Sequence, residues 1–475
     1  MKILYAVSEA LPFIATGGLG DVGGSLPVAL RKRMAGCRVV LPLYAGIRKE
    51  MRDKLKFTTH FNVPVSWRNQ YCGVFELSDN GVTYYLLDNQ YYFQRDGLYG
   101  HYDDAERFAF FSRAALELCA YTDFKPDVIH CNDWQTALIP VYQSLIYAKK
   151  PEYSHIKTVL TIHNIQYQGI YSKAILGDVF GIGEEYADIL AYNGSLNLLK
   201  GGIECADRLT TVSPTYAGEI LDAWYSHGLD SILNARRFKL SGILNGIDTV
   251  SYDPETDKEI FVNYSAAQPE GKAPNKAALQ KRLGLPVKAD APLIGIVSRL
   301  VQHKGFDLVK QSLEELLLTS DAQMAVLGSG DFEYESFFAG MAEQYPDRLK
   351  QYKGFIPELA RKIYAGSDIF LMPSKSEPCG LSQMIALRYG SIPVVRETGG
   401  LKDSITDNTD GNGNGFVFTG YSAQEMLQAL RRALDAYHDQ ETWRGLVSRA
   451  LASDNSWSRS AAEYMRLYRE LTAQR

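Results

Sequence analysis

No apolar run in this 475-residue chain approaches the roughly 18 residues needed to cross a membrane. A signal-peptide core is missing too, because Glu9 cuts the apolar run that follows Lys2. These two absences make a cytoplasmic protein with no membrane partner the expectation. Cysteine is scarce: Cys37, Cys72, Cys119, Cys131, Cys205 and Cys379 are scattered, with no C-x-x-C pair. That excludes a disulfide framework and a zinc knuckle. His130 with Asp133 is the nearest thing to a metal pair, and with no further ligands close by no metal is expected. Excess positive charge is also lacking, with 50 Lys and Arg against 55 Asp and Glu and a net charge of −5. Nucleic acid is therefore not an expected partner. No Gly-Lys-Ser/Thr follows a glycine loop, which excludes a Walker phosphate site.

What is present is a globular composition, 46% apolar and 22% charged, in a chain long enough for two or three domains. Tyrosine is abundant: 30 residues, many of them in YYLLDNQYYFQRDGLYGHYDD at 84–104. Most tyrosines are half-buried packing residues, but proteins that handle sugars also use such rings as platforms. Phe93 and Tyr99 are the candidates for sugar contact in that segment.

Short β-rich runs alternate with helical patterns. KILYAV, CRVVLPL, VTYYLLD, DVIHCND, KTVLTIH and RLTTVS read as strands before residue 214. PLIGIVS, QMAVLGS, LKQYKGF, DIFLMPS, IPVVRE and GFVFTG follow in the second half. The stretch YDPETDKEIFVNYSAAQPEGKAPNKAALQ reads as a connector. Such alternation predicts an α/β protein with parallel sheets covered by helices. The expected domains are 1–242 and 243–455, with a terminal helix over 456–475. Ligands of open α/β sheets bind at the carboxyl ends of the strands, so the strand-end loops, and a cleft between the two domains, hold the candidates.

Gly18-Leu19-Gly20-Asp21-Val22-Gly23 matches the dinucleotide fingerprint G-x-G-x-x-G but not its context. Nine residues separate the strand from the first glycine of TGGLGD, and no carboxylate ends the second strand. A nicotinamide or flavin enzyme is therefore disfavoured. What remains is a tight loop, or a helix start whose free amides favour an anion. TGGLGD at 16–21 is echoed by TGGLKD at 398–403, after the strand IPVVRE, which favours the anion reading. Thr398, Gly399 and Gly400 thus join Gly17, Gly18 and Asp21 as candidates.

IVSRLVQHKG places Arg299 and Lys304 just after a strand, where two cations can meet one diphosphate; as ordinary surface cations they would be solvated. In SKSEPCGL, Glu377 follows another strand; the helix is expected from about Gly380, with Glu377 at its start as a cap or as a ligand for sugar hydroxyls. TIHNIQYQG offers His163 at a strand end, followed by Asn164 and Tyr167; the histidine is either structural or part of a site.

With these residues in place the chain resembles the bacterial and plant glycogen/starch synthases, retaining glycosyltransferases of the GT-B fold. The resemblance rests on TGGLGDV, HCNDWQTAL, TIHNIQYQG, TTVSPTYAGEI, GILNGID, VSRLVQHKG, SKSEPCGLSQ and RETGGLKDS, in that order along the whole chain. It implies two Rossmann-like domains facing each other across a deep cleft. The implied activity is transfer of glucose from ADP-glucose to the non-reducing end of an α-1,4-glucan, with retention and release of ADP. ADP-glucose and glucan are the implied substrates, with no cofactor. By the same resemblance Arg299 and Lys304 hold the diphosphate, and Glu377 holds the glucosyl hydroxyls in a loop lined by Cys379, Gly380 and Leu381. His163 lies beside the reacting glucose, Asp133 and Trp134 near donor sugar and acceptor, Asn245 at the domain junction, and Gly17 and Gly18 near the phosphates.

Two positions depart from the pattern. The family commonly has lysine where this chain has Ala15, which removes one cation from the phosphate site. Many GT-B transferases carry a second glutamate eight residues after the first, where this chain has Ile385; the bacterial synthase branch often lacks it. The alternatives left standing are a same-fold glucosyltransferase using UDP-glucose and a non-catalytic glucan-binding relative. The sequence carries no signal for an oligomeric state.

Overall fold

The computed structural model describes residues 1–473, which form two compact units. The first comprises Met1–Asn245 with the chain from Trp457 onward, and the second Gly246–Ser456.

The first unit is built on nine strands: β1 (Lys2–Ala6), β2 (Gly36–Pro42), β3 (Lys56–Val65), β4 (Arg68–Asp79), β5 (Val82–Asp88), β6 (Val128–Asn132), β7 (Lys157–Ile162) and, beyond a small three-stranded sheet formed by β8 (Ile170–Tyr171), β9 (Ala191–Tyr192) and β10 (Ser195–Asn197), β11 (Arg208–Thr211) and β12 (Leu240–Gly242). Their order is β12-β11-β7-β6-β1-β2-β5-β4-β3. All pairs are parallel except β5-β4 and β4-β3, an antiparallel hairpin absent from the sequence reading. The central strands are apolar on both faces because helices cover both, as parallel sheets require. One covering helix is Gly18–Lys32; the terminal helix Trp457–Ala473 packs on it and buries Trp457, Ala461, Tyr464 and Tyr468, the last two against His130 of β6. Arg33 fastens the two by donating to the Ser458 carbonyl at 2.8 and 3.2 Å.

The second unit has six parallel strands: β13 (Leu293–Val297), β14 (Gln323–Gly328), β15 (Leu349–Lys353), β16 (Ile369–Met372), β17 (Ile392–Arg396) and β18 (Phe416–Phe418). Their order β15-β14-β13-β16-β17-β18 is the Rossmann order 3-2-1-4-5-6. The expected connector is only partly irregular: Lys272–Leu283 is a helix, packed on the helix Pro357–Gly366. Its buried positions, Lys272, Asn275, Lys276, Leu279, Gln280 and Leu283, keep helical spacing but are mostly polar. The Lys272 ammonium is satisfied by the carbonyls of Ala365 and Tyr389 at 2.9 and 3.1 Å, and Lys276 by Asp368 at 2.7 Å, which is why a periodicity of apolar letters fails to show this helix.

Among the parallel strands of each sheet the chain order reverses once. The reversal lies between β1 and β6 in the first unit and between β13 and β16 in the second. At such a point the loops after neighbouring strands diverge to opposite faces and leave a crevice.

Candidate active site

In the first unit, the loops after β1, β6 and β7 bring together most of the sequence candidates. Glu9, two residues beyond Val7, is buried and accepts from the Thr16 amide and, at 2.9 Å, from its hydroxyl. Burial raises its carboxyl above the ordinary range, although the two Thr16 bonds oppose this. This carboxylate folds the segment 10–16 back on itself and delivers Ala15, Thr16, Gly17 and Gly18 to the surface. The helix starts at Gly18 with Gly17 as an extended N-cap and no side-chain cap, so its first amides have no side chain to satisfy them. Nothing stands within 4 Å of where a Gly17 Cβ would be. Asp21 is half-buried in the first turn.

Asp133, just after β6, has a φ of 56°, a left-handed conformation that costs a non-glycine residue on the order of 1 kcal/mol. The strain turns its carboxylate across to β7, where Oδ1 accepts the amides of His163 at 2.7 Å and Asn164 at 3.4 Å. Burial raises the Asp133 carboxyl to about 7, against the pull of those amides and with the Glu9 charge adding to the rise. The His163 imidazole is held down to about 3 by burial and is neutral. Its Nε2 lies 2.8 Å from Asn132 Oδ1. Asn164 turns its side chain to the Gln166 amide at 3.0 Å, and Tyr167 is exposed. Trp134 is buried, edge-on to Phe108 at 5.0 Å and beside Tyr171, so its ring packs the loop after β6. Asn245, beyond β12, is buried with its amide nitrogen on the Val212 carbonyl and its Oδ1 without a partner among the described residues.

In the second unit, the loops after β13 and β16 hold Arg299, Lys304 and Glu377 at the reversal. Arg299 is exposed and makes no ion pair among the described residues. Lys304 is paired: its Nζ lies 2.6 Å from Glu377 Oε2, which also accepts from Ser374 Oγ at 3.0 Å. Two backbone features set this pair. The Lys375 amide donates to the His303 carbonyl at 2.9 Å, and Gly305, with a φ of 80°, lies so close that a Cβ would stand 2.0 Å from the Pro373 carbonyl oxygen.

Three expectations are corrected. Glu377 is not at a helix start: the helix begins at Ser382, because Gly380 has a left-handed φ of 69° and Leu381 is the N-cap. The echo TGGLKD is not a second open anion site. Thr398 and Gly400 are buried and the Gly400 amide donates to the Glu377 carbonyl at 3.1 Å, while a Gly399 Cβ would stand 2.0 Å from that same oxygen. These glycines and the buried Cys379 therefore pack the Glu377 loop from behind. Phe93 is fully buried against Tyr44, Tyr92 and Phe110 and cannot reach a glucan, and Tyr99 is half-buried with its hydroxyl 2.7 Å from Ser8 Oγ.

Asn132 escaped the sequence reading because it acts through His163, 31 residues away, and Ser374 and Glu9 because a hydroxyl or carboxylate a few residues from its partner forms no motif. Phe355, just after the edge strand β15, is a single loop aromatic that carries no periodicity. It is 90% exposed. The basic run Arg31-Lys32-Arg33 ends the helix that Gly18 begins, about 20 Å away at 1.5 Å per residue, so it does not replace the cation missing at Ala15.

Two Rossmann-like units with charged and hydroxyl-binding groups at the reversal points define a nucleotide-sugar glycosyltransferase of the GT-B class. Residues 2–235 match the starch synthase catalytic domain family and residues 280–445 the glycosyl transferases group 1 family. The chain is 49% identical to the glycogen synthase of Bacillus cereus (strain ATCC 10987 / NRS 248) over 475 residues, covering 99% of this chain and 100% of that protein. It is 50% identical to the glycogen synthase of Bacillus licheniformis, covering 98% of each. The solved catalytic domain of starch synthase IV from Arabidopsis thaliana, bound to ADP and acarbose, superposes with a TM-score of 0.92 at 35% identity over 99% of both chains. A sucrose-phosphate synthase from Thermosynechococcus elongatus shares the fold at a TM-score of 0.62 and 16% identity over the full length of both. The chain belongs to the glycogen synthase family and is a glycosyltransferase. No helix among the described residues is long and apolar enough to cross a membrane.

Proposed function

We propose that this enzyme transfers glucose from ADP-glucose to the non-reducing 4-hydroxyl of an α-1,4-glucan, retaining the anomeric configuration and releasing ADP. The observation that carries the reading is the Lys304–Glu377 pair, 2.6 Å apart at the reversal point of a Rossmann sheet, beside the unpaired Arg299. An ammonium has three protons. One is held by Glu377 and the others are left for a diphosphate, with Arg299 adding a bidentate donor. Glu377 spends Oε2 on Lys304 and Ser374, leaving Oε1 for a glucosyl hydroxyl.

Cleaving the anomeric C–O bond builds positive charge on the sugar and negative charge on the leaving phosphate. Fixed cations on the leaving group stabilise that separation, so no metal is needed for it. His163 and Asp133 in the first unit orient the sugars. Since no carboxylate is assigned as nucleophile, the proposed route is front-face displacement, in which the departing phosphate oxygen takes the proton of the acceptor hydroxyl. Ala15 favours a second reading, a glucan-binding relative with lost turnover; the retained Arg299, Lys304, Glu377 and His163 speak against it.

The test is proton NMR of glycogen incubated with ADP-glucose and the full chain. New α-1,4 anomeric signals growing in step with ADP support the proposal. ADP release without new α-1,4 signals, or signals of inverted configuration, would overturn it.

A further inference from the structure

The imidazole of His163 is held from one side by a polar chain that none of the roles above uses. Asn132 Nδ2 donates to the Ala6 carbonyl at 2.9 Å and to the His130 carbonyl at 3.4 Å. Both partners are acceptors only, so they fix which end of the amide is nitrogen. Asn132 Oδ1 is then an obligate acceptor. It takes the Tyr5 hydroxyl at 2.9 Å and faces His163 Nε2 at 2.8 Å. Tyr5 and Asn132 are both fully buried, so water cannot stand in for either bond. A bare Nε2 would set lone pair against lone pair across that contact.

From this geometry we infer that Asn132, backed by Tyr5, is a positioning residue that fixes His163 as the Nε2–H tautomer and leaves Nδ1 as a bare acceptor. Nδ1 makes no hydrogen bond among the described residues. An acceptor fixed in place by a rigid strand selects a hydroxyl donor, which on the proposed reaction is a hydroxyl of the glucosyl unit; that last step rests on the reading of His163 as a sugar contact. The tautomer itself does not.

The strand register places the same two side chains together. Asn132 pairs with Thr161 on β7, and His163 lies two residues beyond Thr161, so Asn132 is the β6 side chain within reach of the imidazole. The β6 neighbour on the same face, His130, is committed elsewhere, to Tyr468 and Thr161, each at 2.6 Å.

The experiment is a long-range nitrogen–proton correlation spectrum of the full chain labelled at its eight histidines, with His163→Gln used only to assign the signal. The wild-type protein should show His163 protonated at Nε2, with the shift of an unprotonated nitrogen at Nδ1. Two variants then separate positioning from mere structure. Asn132→Leu and Asn132→Asp both lose the bonds to the Ala6 and His130 carbonyls, but only Asn132→Asp keeps an acceptor facing Nε2. The tautomer should become mixed in Asn132→Leu and persist in Asn132→Asp, with kcat falling at least about tenfold in the first and recovering in the second. An Nδ1–H tautomer in the wild type, or equal mixing in both variants, would overturn the inference. If the tautomers behave as stated while kcat in Asn132→Leu is unchanged, the positioning role stands and the assignment of His163 to the sugar is what fails.

Discussion

Lys304 Nζ and Glu377 Oε2, 73 residues apart in the sequence, stand 2.6 Å from each other where the order of the second sheet reverses. Neither side chain is a free charge before substrate arrives. Lys304 is a cation already oriented by a carboxylate, so little reorganisation is needed when negative charge develops on the leaving diphosphate.

Removing that cation should show in turnover. Lys304→Ala is expected to lower kcat about a hundredfold or more, the usual loss for one preorganised donor, while binding of glycogen on a gel-retardation assay stays unchanged. Arg299→Ala should follow the same pattern. Full turnover in either variant would contradict the assigned role.

The position of Ala15 makes an opposite prediction. Ala15 is exposed, on the loop that Glu9 folds, and a longer side chain there meets solvent. Ala15→Lys should raise kcat/KM for ADP-glucose about tenfold, up to the roughly 3 kcal/mol of a well-placed donor, with an unchanged melting temperature. Steady-state kinetics at low ionic strength reads this directly.

The two glycine turns should separate by stability. Gly17 has an extended backbone and open space, so Gly17→Ala is expected to shift stability by less than about 1 kcal/mol while raising KM for the donor. Gly399 has a φ of 44° with the Glu377 carbonyl 2.0 Å from its would-be Cβ. Gly399→Ala should therefore destabilise by several kcal/mol and displace the Glu377 loop. Urea denaturation of both variants, alongside activity, tests the contrast.

Acid should weaken the fold through the histidines. His163 and His130 are held down to about 3, against about 6.5 when unfolded, so their contribution is complete above about pH 6.5 and is lost as pH falls toward 3. Each contributes a slope of about 1.4 kcal/mol per pH unit in that window. Asp133, raised to about 7, works the other way: its contribution is present at low pH and is lost as pH rises through 7. His303, held down to about 4, adds to the histidine side and Glu9, raised by burial, to the Asp133 side, so the share of His163 is read by difference. In His163→Gln the slope should be shallower by about one proton, measured by denaturant titration at several pH values.

Phe355 should matter for donor binding and not for chemistry. An exposed ring at a strand end suits stacking with a nucleobase, which contributes about 1–3 kcal/mol. Phe355→Ala is expected to raise KM for ADP-glucose about tenfold with kcat within about twofold.

Most parallel strands were legible as short, largely apolar runs bounded by turn residues, whereas the three-residue β12, Leu240–Gly242, is too short to show a pattern; Arg299, Lys304, His163 and Glu377 were legible because they follow such runs. The β3-β4 hairpin was not. Its half-buried strands mix apolar and polar residues, as an edge hairpin with one wet face does. The helix Lys272–Leu283 was hidden by buried lysines that satisfy carbonyls. Composition misled in the tyrosine-rich segment: Phe93 looked available and is core, while Tyr91 and Tyr102 are exposed. The pairing of Lys304 with Glu377, and of Asn132 with His163, depends on strand order, which no local pattern encodes.

The most direct test of the central claim is transfer of radiolabelled glucose onto glycogen from ADP-glucose and UDP-glucose side by side. Label is expected from ADP-glucose, in full-chain protein with no added metal. Label from UDP-glucose alone would contradict the donor, and no label from either would contradict the assignment of the Lys304–Glu377 pair to catalysis.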